Sequence, residues 1–90
     1  MISIEDCIGL CGLSEEEVLA IAEHEHVPEI VAASLGRYLL NRDHGAEQIR
    51  DMIRDDIRTA LDNNDPAHAH ELLHVLLHYL EGHPDLRSPA

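Results

Sequence analysis

The sequence predicts an all-α protein, a small helical bundle. Apolar residues recur at helical spacing in almost every segment, and no stretch alternates between apolar and polar residues as a strand does. Capping residues and prolines separate these periodic segments from one another. The expected elements are a short N-terminal helix at about 4–11 and four main helices at about 14–26, 28–41, 44–63 and 66–81.

The first main helix has clear signals at both of its ends. Ser14 begins it, because the three glutamates that follow form a capping box with Glu17 as the third helical residue. Acidic residues in the first turn also suit the positive end of the helix dipole. Pro28 stops the helix near His26, since a residue that precedes proline avoids the α conformation. We expect His26 to lie on the apolar side and to be partly buried.

The helix at 28–41 begins at a proline that fits the first helical position. Its residues 30–40, IVAASLGRYLL, are apolar on nearly all sides, which is typical of a buried helix. The sequence therefore predicts that this helix is the central one. Its small residues would let neighbouring helices approach closely.

The helix at 44–63 combines an apolar stripe with a solvent-exposed face. Three arginines alternate there with acids at spacings that favour ion pairs within a helix. Because acids separate these arginines, they do not form a basic patch. The apolar stripe is Ala46, Ile49, Ile53, Ile57, Ala60 and Leu61.

The last helix follows a turn in which Asp65 is the expected N-cap and Pro66 the first helical residue. Its histidines lie on a different arc from its leucines, at 100° per residue. We expect the leucines to face the core and the histidines to face away from it. The leucines are Leu72, Leu73, Leu76, Leu77 and Leu80.

Length and composition indicate one helical domain, which we assign to 1–82, with a loose tail at 83–90. The 90 residues include no phenylalanine or tryptophan, so the core must be mainly aliphatic. A small aliphatic core of this kind is often completed across a dimer interface. We therefore expect a homodimer.

Charge restricts the other partners. The formal net charge is −12, which disfavours nucleic acid and anionic membranes and leaves a basic protein as a second class of partner. No apolar run is long enough to span a membrane. The N-terminus has no basic segment typical of a signal peptide, so we expect a cytoplasmic protein with Cys7 and Cys11 reduced.

Eight histidines are the most unusual feature of the composition. His70, His74 and His78 recur every four residues, so adjacent members could clamp one ion, and imidazole suits zinc and other divalent transition metals. A neighbouring helix or a second copy would supply the remaining ligands, with His26 as a further candidate. The alternative is a histidine-rich face that contacts solvent or a second copy.

Residues 70–74, His-Glu-Leu-Leu-His, match the HExxH motif and so resemble the zincin metallopeptidases. The resemblance implies that His70 and His74 bind zinc and that Glu71 is the general base. A catalytic zinc needs a third protein ligand. The extended motif would have glycine at 77 and histidine at 80, and both positions are leucine here.

These observations lead to three hypotheses about function. The first is a small, acidic, non-catalytic helical module for interaction or regulation, which acts as a homodimer. The second is a transition-metal-binding protein that uses the histidines of the last helix. The third, which the missing third ligand disfavours, is a zinc metallopeptidase.

Overall fold

A computed structural model describes residues 12–86 of the chain. Within them four α-helices follow one another and no strand occurs, which confirms the all-α class. The helix bounds agree with the predicted ones to within one residue. The helix expected at about 4–11 lies outside the described residues. The elements are α1 (Glu15–Glu25), α2 (Glu29–Leu40), α3 (Gly45–Asp62), α4 (Pro66–Gly82) and a short 3-10 helix (Pro84–Leu86).

Two of the predicted caps form as the sequence indicates. The Glu17 backbone N–H donates to Ser14 Oγ at 3.2 Å, and the Ser14 N–H donates back to Glu17 Oε1 at 2.9 Å. At α4, the His68 N–H donates to Asp65 Oδ1 at 3.2 Å. These bonds satisfy amide groups that have no partner within their own helix.

The core forms where α1 and α3 meet the other helices. Each of these two helices contacts all three others, and the most extensive interface joins α3 to α4. The buried side chains are mostly aliphatic, as the composition requires, and one tyrosine joins them. The core comprises Leu13, Val18, Ala20, Ile21, Ala32, Ala33, Leu39, Ile49, Ile53, Leu72, Val75 and Tyr79.

Tyr79 is the largest fully buried side chain and anchors α4 against the start of α3. Its hydroxyl donates a 2.7 Å hydrogen bond to the Ala46 carbonyl, and its ring stacks on His83 with the centroids 4.3 Å apart. Burial, together with the negative charge of Glu17, raises the pKa of Tyr79 above its ordinary value. The phenol therefore stays protonated and keeps its hydrogen bond.

The prediction that helix 28–41 is central is wrong. α2 packs against α1 and α3 only through its narrow side, which holds Ala32, Ala33, Gly36 and Leu39. Ile30, Val31 and Tyr38 are 49%, 47% and 56% exposed. The apolar character on all sides of α2 therefore reflects a second apolar surface that is largely exposed. Arg42 contacts this surface at Tyr38, with its guanidinium 5.2 Å from the centre of the ring.

The buried face of α4 is also rotated from the expected one. Leu73 and Leu77 are 43% and 50% exposed, and the buried residues of α4 are Ala69, Leu72, Val75 and Tyr79. Periodicity alone predicted that the side of α4 with most leucines faces the core. The structure instead buries the side that carries Tyr79, the largest fully buried side chain. On α3, Leu61 lies at the end of its stripe and is 55% exposed.

The exposed side of α3 carries the expected ion pairs, such as Arg50 with Asp51 at 3.1 Å. The division into a domain over 1–82 and a tail over 83–90 stays a prediction. At the start of that tail, Pro84–Leu86 form the 3-10 helix, and Leu86 is half-buried against the core. Among residues 12–86, no helix combines the length and apolar character that crossing a bilayer requires.

Candidate functional site

The four predicted metal ligands lie in three separate places. His70 and His74 are exposed neighbours, with their rings edge to face and the centroids 4.6 Å apart. His78 instead donates from Nδ1 to Glu17 Oε2 at 3.1 Å. His26 ends α1 in a left-handed conformation (φ 56°) and is exposed, so the expectation that it is partly buried is wrong. His26 is the C-cap of α1, so it lies beyond the helical face that packs on the core.

The motif at 70–74 is not arranged as a metallopeptidase centre in the described part of the chain. No group of three His, Cys, Asp or Glu side chains among residues 12–86 is placed to share one ion. Glu71 is turned toward His68, with Oε2 3.5 Å from Nδ1. Metal binding stays a prediction, and His70 and His74 are the adjacent pair on which it rests.

Two glutamate–histidine pairs join α1 to α4. Glu17 Oε2 accepts from His78 Nδ1 at 3.1 Å, and Glu23 Oε1 accepts from His68 Nε2 at 2.6 Å. The earlier residue of α1 meets the later residue of α4, so the two helices are antiparallel. We call these contacts the α1–α4 pairs.

Glu17 has two roles. One carboxylate oxygen closes the capping box of α1, and the other accepts the hydrogen bond from His78. Its side chain is only 6% exposed, whereas the His78 side chain is 63% exposed. A buried carboxylate is tolerated only when its oxygens have partners, and here the N-terminus of α1 and the imidazole of α4 supply them.

At the other end, Glu23 lies in a polar junction of α1, α3 and α4. Asp56 of α3 faces this junction, and its Oδ2 atom is buried without a hydrogen-bond partner among the described residues. Burial raises the pKa of Asp56, and the nearby Glu23 carboxylate raises it further, while His24 opposes the shift. Asp56 is therefore easier to protonate than an ordinary aspartate.

His68 stands on the opposite side of the same junction. Burial by itself would lower the pKa of His68. The hydrogen bond to Glu23 and the charge of that carboxylate outweigh burial, and smaller contributions come from Glu71 and Asp65, so the net pKa is raised. The junction thus holds two groups that both take up protons more readily in the folded chain.

Between the α1–α4 pairs lies an open groove of about 470 Å³. Its floor is apolar and its rim is polar, and we call it the α1–α4 groove. The floor consists of Leu19, Ala20, Leu72 and Val75, and the rim consists of Glu16, Glu23, His68, Glu71 and His74.

A second surface lies on α2 and is formed by Ile30, Val31, Ser34 and Tyr38, which we call the α2 face. At 100° per residue these four positions share one side of the helix. The Ser34 hydroxyl donates to the Ile30 carbonyl of its own helix at 3.2 Å, so this surface is largely apolar. No acidic residue occurs between positions 30 and 41.

Comparison with protein families, with curated proteins and with solved structures gives no match to this chain. The function must therefore be argued from the surfaces themselves. Sequence reasoning missed the α1–α4 pairs, whose members are 61 and 45 residues apart. The one available signal was the number of acids on the first helix in a chain that has no lysine.

We expect the free energy of unfolding to be higher at about pH 6 than at about pH 8. His68 and Asp56 both have folded-state pKa values above their unfolded values of 6.5 and 3.8. The contribution of His68 is complete below its unfolded pKa of 6.5 and is lost as pH rises through its higher folded pKa, so it carries the change between pH 6 and pH 8. The contribution of Asp56 begins to be lost above its unfolded pKa of 3.8, so it also favours the folded chain at lower pH. Urea unfolding followed by circular dichroism over a pH series measures this dependence.

Variants test whether the groups of the junction cause this dependence of stability on pH. The double variant His68→Gln/Asp56→Asn should lose most of the gain in stability at lower pH. His44→Gln removes an exposed histidine outside the junction, with a 78% exposed side chain, and should keep it. An unchanged gain in the double variant would assign the effect to overall charge and contradict the account of the junction.

Proposed function

We propose that this protein is a small acidic, non-catalytic helical interaction module that self-associates as a homodimer. The observation that supports self-association is the α2 face. Ile30, Val31 and Tyr38 are each about half exposed on one side of a well-formed helix. Exposed apolar side chains that lie together on one surface are typical of interaction sites.

Charge also favours this face for contact between two copies. Two chains of net charge −12 repel each other. The repulsion is weakest where the approaching surfaces carry no acids, and positions 30–41 carry none. A twofold axis near the small residue Ser34 would place Ile30 of one copy against Tyr38 of the other, as an isologous interface requires.

Size-exclusion chromatography with light scattering tests the dimer. At high micromolar concentration the wild type should have twice the mass of one chain. Ile30→Glu places an acid on each copy of the face and should give a monomer. Leu61→Glu adds the same charge at a similarly exposed leucine of α3 and should remain a dimer.

A monomeric wild type under these conditions would contradict the proposed homodimer. An equal loss of association in both variants would also contradict it, because the effect would then come from added charge and not from the α2 face.

Transition-metal binding is the second candidate function, favoured by the adjacent rings of His70 and His74. Two histidines at i and i+4 supply half of a tetrahedral zinc site. A second copy or water would supply the other ligands. His78 is less suited, because Glu17 already holds its Nδ1 atom.

Titration of untagged protein with Zn²⁺, followed by calorimetry, tests this candidate. The wild type should bind the ion in a fixed stoichiometry, and His70→Ala/His74→Ala should abolish binding. His44→Ala removes an exposed histidine outside the pair and should leave it intact. No stoichiometric binding by the wild type, or full binding by the double variant, excludes this pair as a site.

A further inference from the structure

The α1–α4 groove combines an apolar floor with an acidic rim, and together these indicate a class of ligand. Its floor is apolar: Ala20, Leu72 and Val75 are buried at its base, and the side chain of Leu19 is 42% exposed. The groove lies between two antiparallel helices and is open to solvent on one side. This shape suits an elongated apolar surface, such as one face of a helix.

The rim of the groove is acidic. Among residues 12–86, three glutamates and no arginine line it. Glu23 and Glu71 both lie beside His68, with their oxygens 2.6 Å and 3.5 Å from its ring nitrogens, so the imidazole offsets only part of their charge. Glu16 is exposed at the opposite end of α1.

We propose that the α1–α4 groove binds a cationic amphipathic helix of a partner protein. The inference rests on the proposed function as an interaction module and names its partner class. Apolar side chains at i, i+3 or i+4, and i+7 of that helix would lie on the Leu19 side of the floor. Flanking lysines or arginines would pair with Glu16 and Glu71, which also speeds association by electrostatic attraction.

Charge complementarity distinguishes this occupant from two others. A second copy of the chain would bring a further net charge of −12 to an acidic rim. The chain's own residues 1–11 contain two acidic and no basic side chains, so they meet the same repulsion. A cationic helix gains from both the floor and the rim.

Fluorescence anisotropy with a labelled synthetic helix of leucine and lysine, titrated with the full chain, tests the proposal. The leucines occupy one side of this probe. A scrambled peptide of the same composition spreads them around the helix and measures attraction by charge alone. The amphipathic probe should bind about tenfold more tightly than the scrambled one.

Matched variants locate the binding site. Leu19→Gln should weaken binding about tenfold, whereas Leu61→Gln changes a similarly exposed leucine outside the groove and should leave affinity unchanged. Glu16→Gln should weaken binding about threefold. Glu15→Gln removes the same charge from the same helical turn, outside the groove lining, and should have a smaller effect.

The outcomes separate this inference from the proposed homodimer. Ile30→Glu should abolish self-association and still bind the probe through the groove. Equal affinity for both peptides, or equal effects of Leu19→Gln and Leu61→Gln, overturns the inference and leaves the dimer standing. Loss of self-association in Leu19→Gln would assign the groove to a second copy and overturn the inference as well.

Discussion

Two hydrogen-bonded pairs of glutamate and histidine join α1 to α4 beside the apolar core that the two helices share. The chain has no lysine, and the arginines of the described residues lie on α2, on α3 and between them. Histidine is therefore the side chain on α4 that can meet the acids of α1. Glu17 binds His78 and Glu23 binds His68, which fixes the antiparallel register of the two helices.

This register has a structural consequence for the surface. The paired histidines are ten residues apart, about 15 Å along the axis of α4. Between them the small side chain of Ala20 lies beside Leu72 and Val75, so the helices leave an open groove. Glu23, which pairs with His68 across the interface, also forms part of the rim of the groove. The pairing of α1 with α4 therefore accounts both for the position of the groove and for part of the negative charge at its rim.

Acidic residues are unevenly distributed over the molecule. Acids concentrate along α1 and the exposed side of α3, whereas positions 30–41 on α2 carry none. We therefore propose the α2 face for contact with a like-charged copy and the α1–α4 groove for contact with a basic partner. A module with two such surfaces could bind two partners at once without competition between them.

Sequence reasoning predicted the parts of this structure that local chemistry controls. The capping box of Ser14 and Glu17, the cap at Asp65 and the helix ends before prolines depend on neighbours within a few residues. Periodicity indicates which residues share a face, but it cannot show which of two apolar faces another helix covers. For this reason the exposure of α2 and the burial of Tyr79 in place of Leu73 and Leu77 were missed.

The candidate sites divide in the same way. The adjacency of His70 and His74 follows from their spacing on one helix, so it could be predicted. The pairing of His78 with Glu17 joins residues 61 positions apart and depends on how α1 and α4 pack. The groove likewise exists only between two packed helices, and no local pattern in either one predicts it.

A double-mutant cycle on Glu17 and His78 tests the central claim most directly. The free energy of unfolding is measured for the wild type, Glu17→Ala, His78→Ala and the double variant, because a glutamine at either position could keep a hydrogen bond. Loss of the capping box affects both Glu17 variants equally, so the cycle isolates the contact with α4. We predict a coupling of about 0.5–1 kcal/mol, because the carboxylate is buried but the imidazole is partly exposed. Additive effects of the two substitutions would contradict the claim that this pair holds α1 to α4.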